Sequence, residues 1–498
     1  MVFNSGVFIY FFIAVFILHW IIARTGSVRI LNLFLLAASY FFYGFWDWLF
    51  LGLIFISTAV DYTAAILLEK EISQHRRKLL LAVSVIVNLG ILGIFKYFDF
   101  FAESFIFMVR AFVPDAFPGG EGILLRVLLP VGISFYTFQT MSYTIDVYRK
   151  QIPAEKDLIS FALFVCFFPQ LVAGPIERAG DLLGQLKVKR FFNMENMAKG
   201  AWLVLLGFYM KVYVADSLGP LVDQVYLPGR SVYNASPAFA AGHDGLHVIL
   251  SSIAFAFQIY CDFAGYSNIA LGSALFLGVR LTQNFNSPEM STNPADLWRR
   301  WHITLNRWII DYVYIPLGGS KMGDFQKLKN LLLIFVLMGL WHGANWTFFL
   351  WGLFHGTWLV LHDMTRNKIR LVKDDAAPYV KSAVKVLKMA GVFFVFAMTA
   401  TFFRAYDLDH VMMLWESILT FPYSGEGSAR IAPAGDYAYR IFKIVIFLVF
   451  LDAMSYFKND VFWIFKKHAI VRSVIYIYMF LIIVTLGVFG REVIYFAF

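Results

Sequence analysis

The sequence predicts an all-α polytopic membrane protein, and three observations lead to this fold class. Of its 498 residues, 60% are hydrophobic and 15% are charged, whereas a soluble domain carries about a quarter charged residues. The apolar residues occur in long runs, and Lys and Arg are grouped between those runs. No water-soluble fold of this size has enough interior to bury so much apolar surface. A soluble enzyme, a nucleic-acid-binding domain and a disordered scaffold are therefore excluded.

Charged residues mark the ends of the candidate spans, each of which needs about 20 apolar residues. The strong spans, in chain order, are 7–23, 30–43, 49–68, 79–95, 127–147, 200–214, 248–277, 331–361, 386–403, 441–451 with its flanks, and 474–489. Because the longest of these runs can cross the bilayer twice, we expect about 10 to 12 transmembrane helices. We predict a single integral-membrane domain over residues 1–498, with a motif core at roughly 130–363.

The loops predict the topology, since cytoplasmic loops of membrane proteins are rich in Lys and Arg. Basic residues cluster in the segments 70–78, 149–156, 178–199, 299–329, 366–385 and 458–472, which we expect on the cytoplasmic side. The segments 114–122, 216–245 and 405–437 contain Gly and Pro but few basic residues. We expect these three segments and the N-terminus outside. The net charge of +9 follows from the cytoplasmic loops and does not indicate a nucleic-acid partner.

Two segments do not fit a simple pattern of full-length spans. The segment 156–178 is interrupted by Pro169 and Gly174-Pro175, and the segment 329–366 contains four spaced glycines. Non-helical or half-length backbone at membrane depth is stable only where protein or a water-filled cavity covers it. We therefore expect re-entrant or half-length helices here, forming walls of an internal cavity. Without an internal repeat, an inverted-repeat transporter is disfavoured.

Two apolar segments each carry a stripe of polar side chains. The first stripe comprises Gln139, Ser142, Tyr143 and Asp146, and the second comprises Gln258, Asp262 and Tyr266. Both sets have helical spacing, so each lies on one face of its helix. Such residues either form interhelical hydrogen bonds that fix the packing or line a functional cavity. The spacing alone leaves both interpretations open.

A third cluster contains two histidines with a potential for catalysis. His302 ends the motif Asp296-Leu-Trp-Arg-Arg-Trp-His302, and His342 lies in the apolar run Gly339-Leu-Trp-His-Gly-Ala-Asn-Trp346. A buried neutral imidazole serves as a general base, a hydrogen-bond acceptor or a metal ligand, or is simply packed against one polar neighbour. We expect His355 and His362 on another helical face. No spacing in the chain demands a metal, and we predict none.

These motifs resemble those of the membrane-bound O-acyltransferase superfamily, and more narrowly the bacterial branch concerned with alginate O-acetylation. The resemblance rests on three stretches, Trp298-Arg-Arg-Trp-His-Ile-Thr-Leu305, Asp311-Tyr-Val-Tyr-Ile-Pro-Leu-Gly-Gly319 and Gly339-Leu-Trp-His-Gly-Ala-Asn-Trp346. Supporting stretches occur at 1–5, 135–139, 168–178, 262–267, 284–288 and 402–405. The resemblance thus covers nearly the whole chain.

The resemblance implies a multi-helix fold around a tunnel, with His342 at the position of the catalytic histidine and His302 at the second motif position. It implies acyl transfer from a thioester, such as acetyl-CoA, to a hydroxyl, without a bound cofactor. It also implies an extracytoplasmic acetyltransferase partner of the SGNH type, a polysaccharide biosynthesis complex, and a location in the bacterial cytoplasmic (inner) membrane.

The remaining candidate residues have roles in binding. Asn345 or a tryptophan indole such as that of Trp346 can donate to the oxyanion of the transition state. Arg299 and Arg300 either bind the phosphates of coenzyme A or only anchor a cytoplasmic loop. The residues expected to line the tunnel are Gln139, Gln258, Asp262 and Tyr266.

Three other functions stay open at this point. The first is transfer of D-alanyl or another acyl group to a cell-envelope polymer. The second is transport of an acyl group through the same tunnel without chemistry. The third is acylation of a lipid or protein.

Overall fold

The structure, a computed structural model, describes residues 1–117, 123–226, 244–366, 368, 375–420, 432–491, 493 and 494. Every regular element in these ranges is a helix, and they contain no β-strand. The prediction of an all-α protein is confirmed. The chain divides into two compact units, Met1–Ala201 with Ala270–Thr282, and Trp202–Ile269 with Gln283–Ala497. The expectation of a single domain stays a prediction.

The first unit begins with long membrane-type helices and continues with short ones. Its helices are α1 (Gly6–Ala23), α2 (Val28–Gly44), α3 (Leu51–Lys70), α4 (Gln74–Leu92), a π-helical turn (Gly93–Tyr97), α5 (Phe98–Phe112), α6 (Ile133–Tyr148), α7 (Leu158–Cys166), α8 (Phe168–Leu171), α9 (Ala179–Leu186) and the start of α10 (Met194–Phe208). The nine-residue α7 and four-residue α8 confirm half-length helices within 156–178. Helix α6 begins six residues later than the span 127–147, because Pro130 and Gly132, at φ +78°, precede it.

The second unit contains the longest helices of the chain. They are the end of α10, a π-helical turn (Tyr209–Ala215), α11 (Asp216–Tyr226), α12 (Gly245–Phe276, shared with the first unit), α13 (Pro294–Arg300), α14 (Ile303–Ile309), α15 (Asp324–His342), α16 (Trp346–Thr365), α17 (Pro378–Arg404), α18 (Leu408–Thr420), α19 (Ala434–Lys458) and α20 (Ala469–Leu486). Short 3₁₀ turns lie at Pro288–Met290 and Trp463–Lys466, and a π-helical turn at Ile310–Tyr314.

Two details expected of this unit are wrong, namely the half-length helices within 329–366 and the loop structure at the start of 216–245, while the side of the membrane on which 216–245 lies stays a prediction. The segment 329–366 forms no half-length helix, since α15 and α16 have 19 and 20 residues and pack as a hairpin. A Cβ atom at Gly339 would overlap the Phe348 carbonyl oxygen, and one at Gly352 would overlap that of Phe335. These glycines allow direct backbone contact between two full helices. The start of the expected outer loop 216–245 is the mostly buried helix α11; residues 227–243 lie outside the described part.

Seven helical stretches among the described residues are long and apolar enough to cross a membrane: Gly6–Ala23, Leu51–Lys70, Gln74–Phe112, Met194–Tyr226, Gly245–Phe276, Pro378–Arg404 and Ala469–Leu486. The chain is therefore a multi-pass membrane protein. Of the most apolar 18-residue stretch of α1, 17% is buried within the protein, as expected for a helix that faces lipid. The corresponding stretch of α12 is 83% buried. The number of 10 to 12 crossings and the sidedness stay predictions. The expected loops 114–122, 366–385 and 405–437 lie partly outside the described residues.

Candidate active site

His342 lies at the turn between α15 and α16. It is the last residue of α15, and the extended backbone of Gly343 ends the helix. Asn345 then begins α16, because its Oδ1 accepts a hydrogen bond from the Thr347 amide at 3.0 Å. Such capping satisfies a backbone donor that the first helical turn leaves without an intrahelical partner. The turn therefore holds His342 at a fixed end of a rigid helix hairpin.

His342 is 3% exposed and lies in the wall of a small, partly open cavity. The cavity has a volume of about 20 Å³, enough for roughly one water molecule. Its lining comprises Phe255, Ala256, Ile259, Trp301, His342, Trp351, Phe396, Thr399, Ala400 and Phe403. The imidazole packs edge-to-face against Trp351 and Phe403, with ring centroids 5.2 and 5.3 Å away. The site thus combines an imidazole with a largely apolar enclosure.

His302 is held in a strained backbone conformation by Asn284. It precedes α14 with φ 43° and ψ 55°, the left-handed region that few residues other than glycine adopt. Its Nδ1 lies 3.1 Å from Oδ1 of Asn284. The same Oδ1 accepts hydrogen bonds from the amide and the hydroxyl of Thr304. Since this oxygen only accepts, Nδ1 of His302 carries the proton.

His302 is also neutral. Burial lowers the pKa of its imidazole to about 3, because the charged form loses its hydration. With the proton on Nδ1, its Nε2 is the acceptor nitrogen. A single indole, that of Trp341, contacts the rings of both His302 and His342. The structure therefore brings both predicted histidines into one aromatic cluster.

The polar residues predicted on α12 have structural partners. Asp262 is 1% exposed, and its Oδ1 accepts a hydrogen bond from Nζ of Lys211 at 2.6 Å. Nζ of Lys211 also lies 2.7 Å from Oδ1 of Asp216, and Oδ2 of Asp262 accepts the Ile494 amide. Gln258 and Tyr266 are buried on the same helix. None of these three predicted residues is among those that line the His342 cavity.

Lys211 is the important residue that the sequence analysis missed. Its side chain is fully buried between two carboxylates. A buried charge is stable only when it is paired and hydrogen-bonded. The signal was present, because a lysine inside the apolar run 200–214 is a functional or structural candidate by itself.

Gln139 lies in the first unit, where its Nε2 donates to the Phe164 carbonyl at 2.5 Å. Gln170 donates to the same oxygen. This contact is an interhelical hydrogen bond between α6 and α7, the packing role that the sequence left open. Lining of the tunnel by Gln139 stays a prediction.

The two predicted arginines differ in their surroundings. Nε of Arg300 lies 2.9 Å from Oδ1 of Asp296, and its guanidinium lies over the ring of Tyr456. Arg299 is exposed, with its Nε donating to the Ala295 carbonyl of its own helix. Arg299 is therefore the more accessible of the two for an anionic ligand.

The two residues predicted to follow His342 lie at the start of α16. Nδ2 of Asn345 donates to the Tyr406 carbonyl at 2.9 Å, while its Oδ1 caps the helix. Because the amide nitrogen carries two N–H groups, this bond does not exclude Asn345 as an oxyanion donor. Trp346 is 48% exposed and is not among the residues that line the cavity.

His355 corrects a further expectation. We expected it on a helical face away from His342. That expectation treats 342–355 as one continuous helix. In the structure the chain turns at Gly343, and His355 lies on a second helix, α16, which runs back along α15. His355 is fully buried, and its ring centroid lies 4.6 Å from that of Trp351, which contacts His342. Among the described residues, no group of three His, Cys, Asp or Glu side chains is placed to hold a metal ion.

The fold and this site define a polytopic membrane enzyme built around a buried histidine. The family model described as MBOAT, membrane-bound O-acyltransferase family, matches residues 33–403. The chain belongs to this family and is an O-acyltransferase. The matched range includes both histidines and all the residues that line the cavity.

Curated relatives of the chain act on different polymers according to their names. It is 37% identical over 423 residues to the probable alginate O-acetylase AlgI of Azotobacter vinelandii, covering 84% of this chain and 78% of the relative. It is 32% identical to the peptidoglycan O-acetyltransferase of Helicobacter pylori, covering 84% and 80%. It is 27% identical to the teichoic acid D-alanyltransferase of Streptococcus thermophilus, covering 60% and 72%.

Proposed function

We propose that this chain is an O-acetyltransferase of the bacterial inner membrane. It takes an acetyl group from a cytoplasmic thioester such as acetyl-CoA and passes it on for O-acetylation of an exported polysaccharide such as alginate. The observation that carries this proposal is the imidazole of His342 in the wall of a cavity of about 20 Å³. The cavity must widen to admit any acyl group and would widen least for the shortest, so its size favours acetyl. The names of the O-acetylating relatives support the same assignment.

The chemistry requires a base, because an unactivated hydroxyl attacks a thioester slowly. In our proposal, His342 accepts the proton of the attacking hydroxyl while its oxygen bonds to the carbonyl carbon. The carbon–sulfur bond then breaks, and the proton passes from the imidazolium to the departing thiolate. Atoms and charge balance, and the histidine returns to its neutral form. A positioned base of this kind contributes about 10²–10⁴-fold.

Two tryptophans join Asn345 as candidate oxyanion donors. Trp301 and Trp351 both line the cavity, whereas Asn345 lies at the start of α16 with one of its two amide N–H groups on the Tyr406 carbonyl. An indole N–H donates only, so it suits an oxygen that gains negative charge. His302 has a supporting role, with Nε2 as an acceptor beside Trp341.

The donor reaches the site from the predicted cytoplasmic side. Arg299 is exposed, and a guanidinium binds phosphate oxygens in a bidentate manner. We assign the phosphates of the thioester donor to Arg299, while Arg300 holds Asp296 and Tyr456 in place.

A polysaccharide needs a partner protein. The aromatic enclosure around His342 leaves no space for a polymer chain. We infer that an extracytoplasmic SGNH-type acetyltransferase, together with a polysaccharide biosynthesis complex, completes the transfer outside. The purified chain alone should therefore leave a soluble polysaccharide unmodified, and efficient polymer acetylation without a partner would contradict this inference.

The test is reconstitution in proteoliposomes with acetyl-CoA labelled in the acetyl group. With the SGNH-type partner present to supply a hydroxyl acceptor, we expect label to leave coenzyme A with wild-type protein and not with His342→Ala at matched membrane abundance. Label that crosses the bilayer equally well with His342→Ala would instead identify a transporter. Transfer from a D-alanyl thioester but not from acetyl-CoA would identify a D-alanyltransferase. This is the second candidate function, because the chain is similar to the teichoic acid D-alanyltransferase of Streptococcus thermophilus.

A further inference from the structure

A second buried imidazole lies next to the cavity and has no role in the mechanism above. The side chain of His355, on α16, is fully buried. Its ring packs against the indoles of Trp351 and Trp298, with centroids 4.6 and 5.0 Å away. Burying a polar ring among aromatics costs free energy unless it makes a hydrogen bond. The partner of that bond indicates what the residue does.

The partner is a threonine on the neighbouring helix. Nε2 of His355 lies 3.0 Å from Oγ1 of Thr399 on α17. The Thr399 hydroxyl donates its only proton to the Phe396 carbonyl at 2.6 Å. Oγ1 of Thr399 can therefore only accept from the imidazole, so Nε2 of His355 carries the proton.

The other ring nitrogen has a different environment. Within the part of the chain that the structure describes, Nδ1 of His355 has no hydrogen-bond partner. Protonation at Nδ1 would bury a charged N–H without an acceptor, which is costly. The neutral ring with the proton on Nε2 is thus the stable form. His355 serves as a fixed donor and not as a titrating group.

Two of the neighbours of His355, Trp351 and Thr399, line the cavity of His342. Trp351 contacts the His342 ring at a centroid distance of 5.2 Å and an interplanar angle of 84°. Thr399 lies in the cavity wall on α17, together with Phe396 and Phe403. Gly339 and Gly352 allow close contact between α15 and α16. The hydrogen bond from His355 to Thr399 joins α16 to α17, which carries the cavity residues Phe396, Thr399 and Phe403. This bond therefore affects how these residues face His342.

We propose that His355 is a positioning residue for His342. Its hydrogen bond to Thr399 and its contact with Trp351 hold the α17 wall and the indole at the distances at which His342 meets the reacting hydroxyl. This role rests on the proposed function. A misplacement of about 1 Å in an active site lowers turnover by up to about 10²-fold, so the hydrogen bond should affect kcat more than KM.

The test uses the full-length protein in proteoliposomes with labelled acetyl-CoA and the same hydroxyl acceptor as above. Thr399→Val removes the acceptor at nearly constant volume, and Thr399→Ser keeps it. We expect kcat to fall about 10- to 100-fold in Thr399→Val and in His355→Phe, with KM within about threefold. Thr399→Ser, which keeps the hydroxyl, should have a kcat clearly higher than that of Thr399→Val. The double variant should be no slower than His355→Phe, because both changes break one link. The acidic limb of the pH–rate profile should keep its position in all variants.

Each contrary result has a distinct meaning. A wild type without acetyl transfer overturns the proposed function, and with it this role of His355. With an active wild type, normal kcat in Thr399→Val shows that the link does not position His342. A lost acidic limb in His355→Phe shows that His355 itself titrates, which contradicts the proposal. If both variants lose only thermal stability and keep kcat per folded molecule, the link is structural and the proposal is wrong.

Discussion

One indole ring, that of Trp341, contacts both His302 and His342. Trp341 packs against His302 with centroids 5.8 Å apart and against His342 with centroids 5.1 Å apart. The two imidazoles differ in position, since His342 lines the cavity whereas the proton of His302 Nδ1 is directed to Asn284. This difference leads to separate predictions for the two residues.

His342→Ala should lower acetyl transfer by at least about 10²-fold, because the hydroxyl loses its base. Single-turnover transfer of labelled acetyl, measured at matched membrane abundance, checks the result. Binding of the donor and monodispersity in detergent should stay normal, which separates a loss of chemistry from misfolding. Near-normal turnover in this variant would end the assignment of His342 as the base.

His302→Asn should keep measurable activity and leave the acidic limb of the pH–rate profile in place. The buried His302 ring, with a pKa lowered to about 3, is neutral throughout the physiological pH range and so is not the titrating group. The pH dependence of single-turnover rates provides the measurement. If the limb disappears, or if His302→Asn is inactive while His342→Ala works, the roles are reversed.

The size of the cavity should set the length of the acyl group. Phe396→Leu enlarges the cavity beside His342 and should raise the ratio of butyryl to acetyl transfer several-fold, whereas Ala400→Leu fills it and should reduce acetyl transfer. Competition between acetyl- and butyryl-coenzyme A measures the ratio. An unchanged ratio in both variants would show that the acyl group binds elsewhere.

Cysteine labelling can test the topology. Met194 and Met412 are 72% and 62% exposed, and both native cysteines are buried. By the distribution of Lys and Arg, Met194→Cys should react with an impermeant reagent only from the cytoplasm and Met412→Cys only from outside. The opposite pattern would invert the topology and the direction of acetyl transfer with it.

The helices could be predicted from the sequence wherever lipid selects apolar residues. The predicted span 7–23 matches α1 (Gly6–Ala23), and 386–403 lies within α17 (Pro378–Arg404). Helix α11 was missed because it contains Pro220 and charged residues, and its stability comes from burial in the protein. A hydropathy profile does not measure this contribution from tertiary packing.

The sequence predicted the two histidines of the candidate site but not which buried polar side chains form hydrogen bonds with one another. His302 and His342 were found through motifs that lie close together along the chain. The partners Lys211 and Asp262 are 51 positions apart, and His355 and Thr399 are 44 positions apart. No local periodicity relates such residues, because their contact depends on how whole helices pack.

The volume beside His342 has a consequence for the rate of the enzyme. An acetyl group is larger than the single water molecule for which about 20 Å³ provides space. Binding of an acetyl group beside His342 therefore requires the side chains that line the cavity to move apart. Collective motions of this kind take microseconds to milliseconds. If such a motion limits the rate, kcat should rise with temperature and with the fluidity of the bilayer.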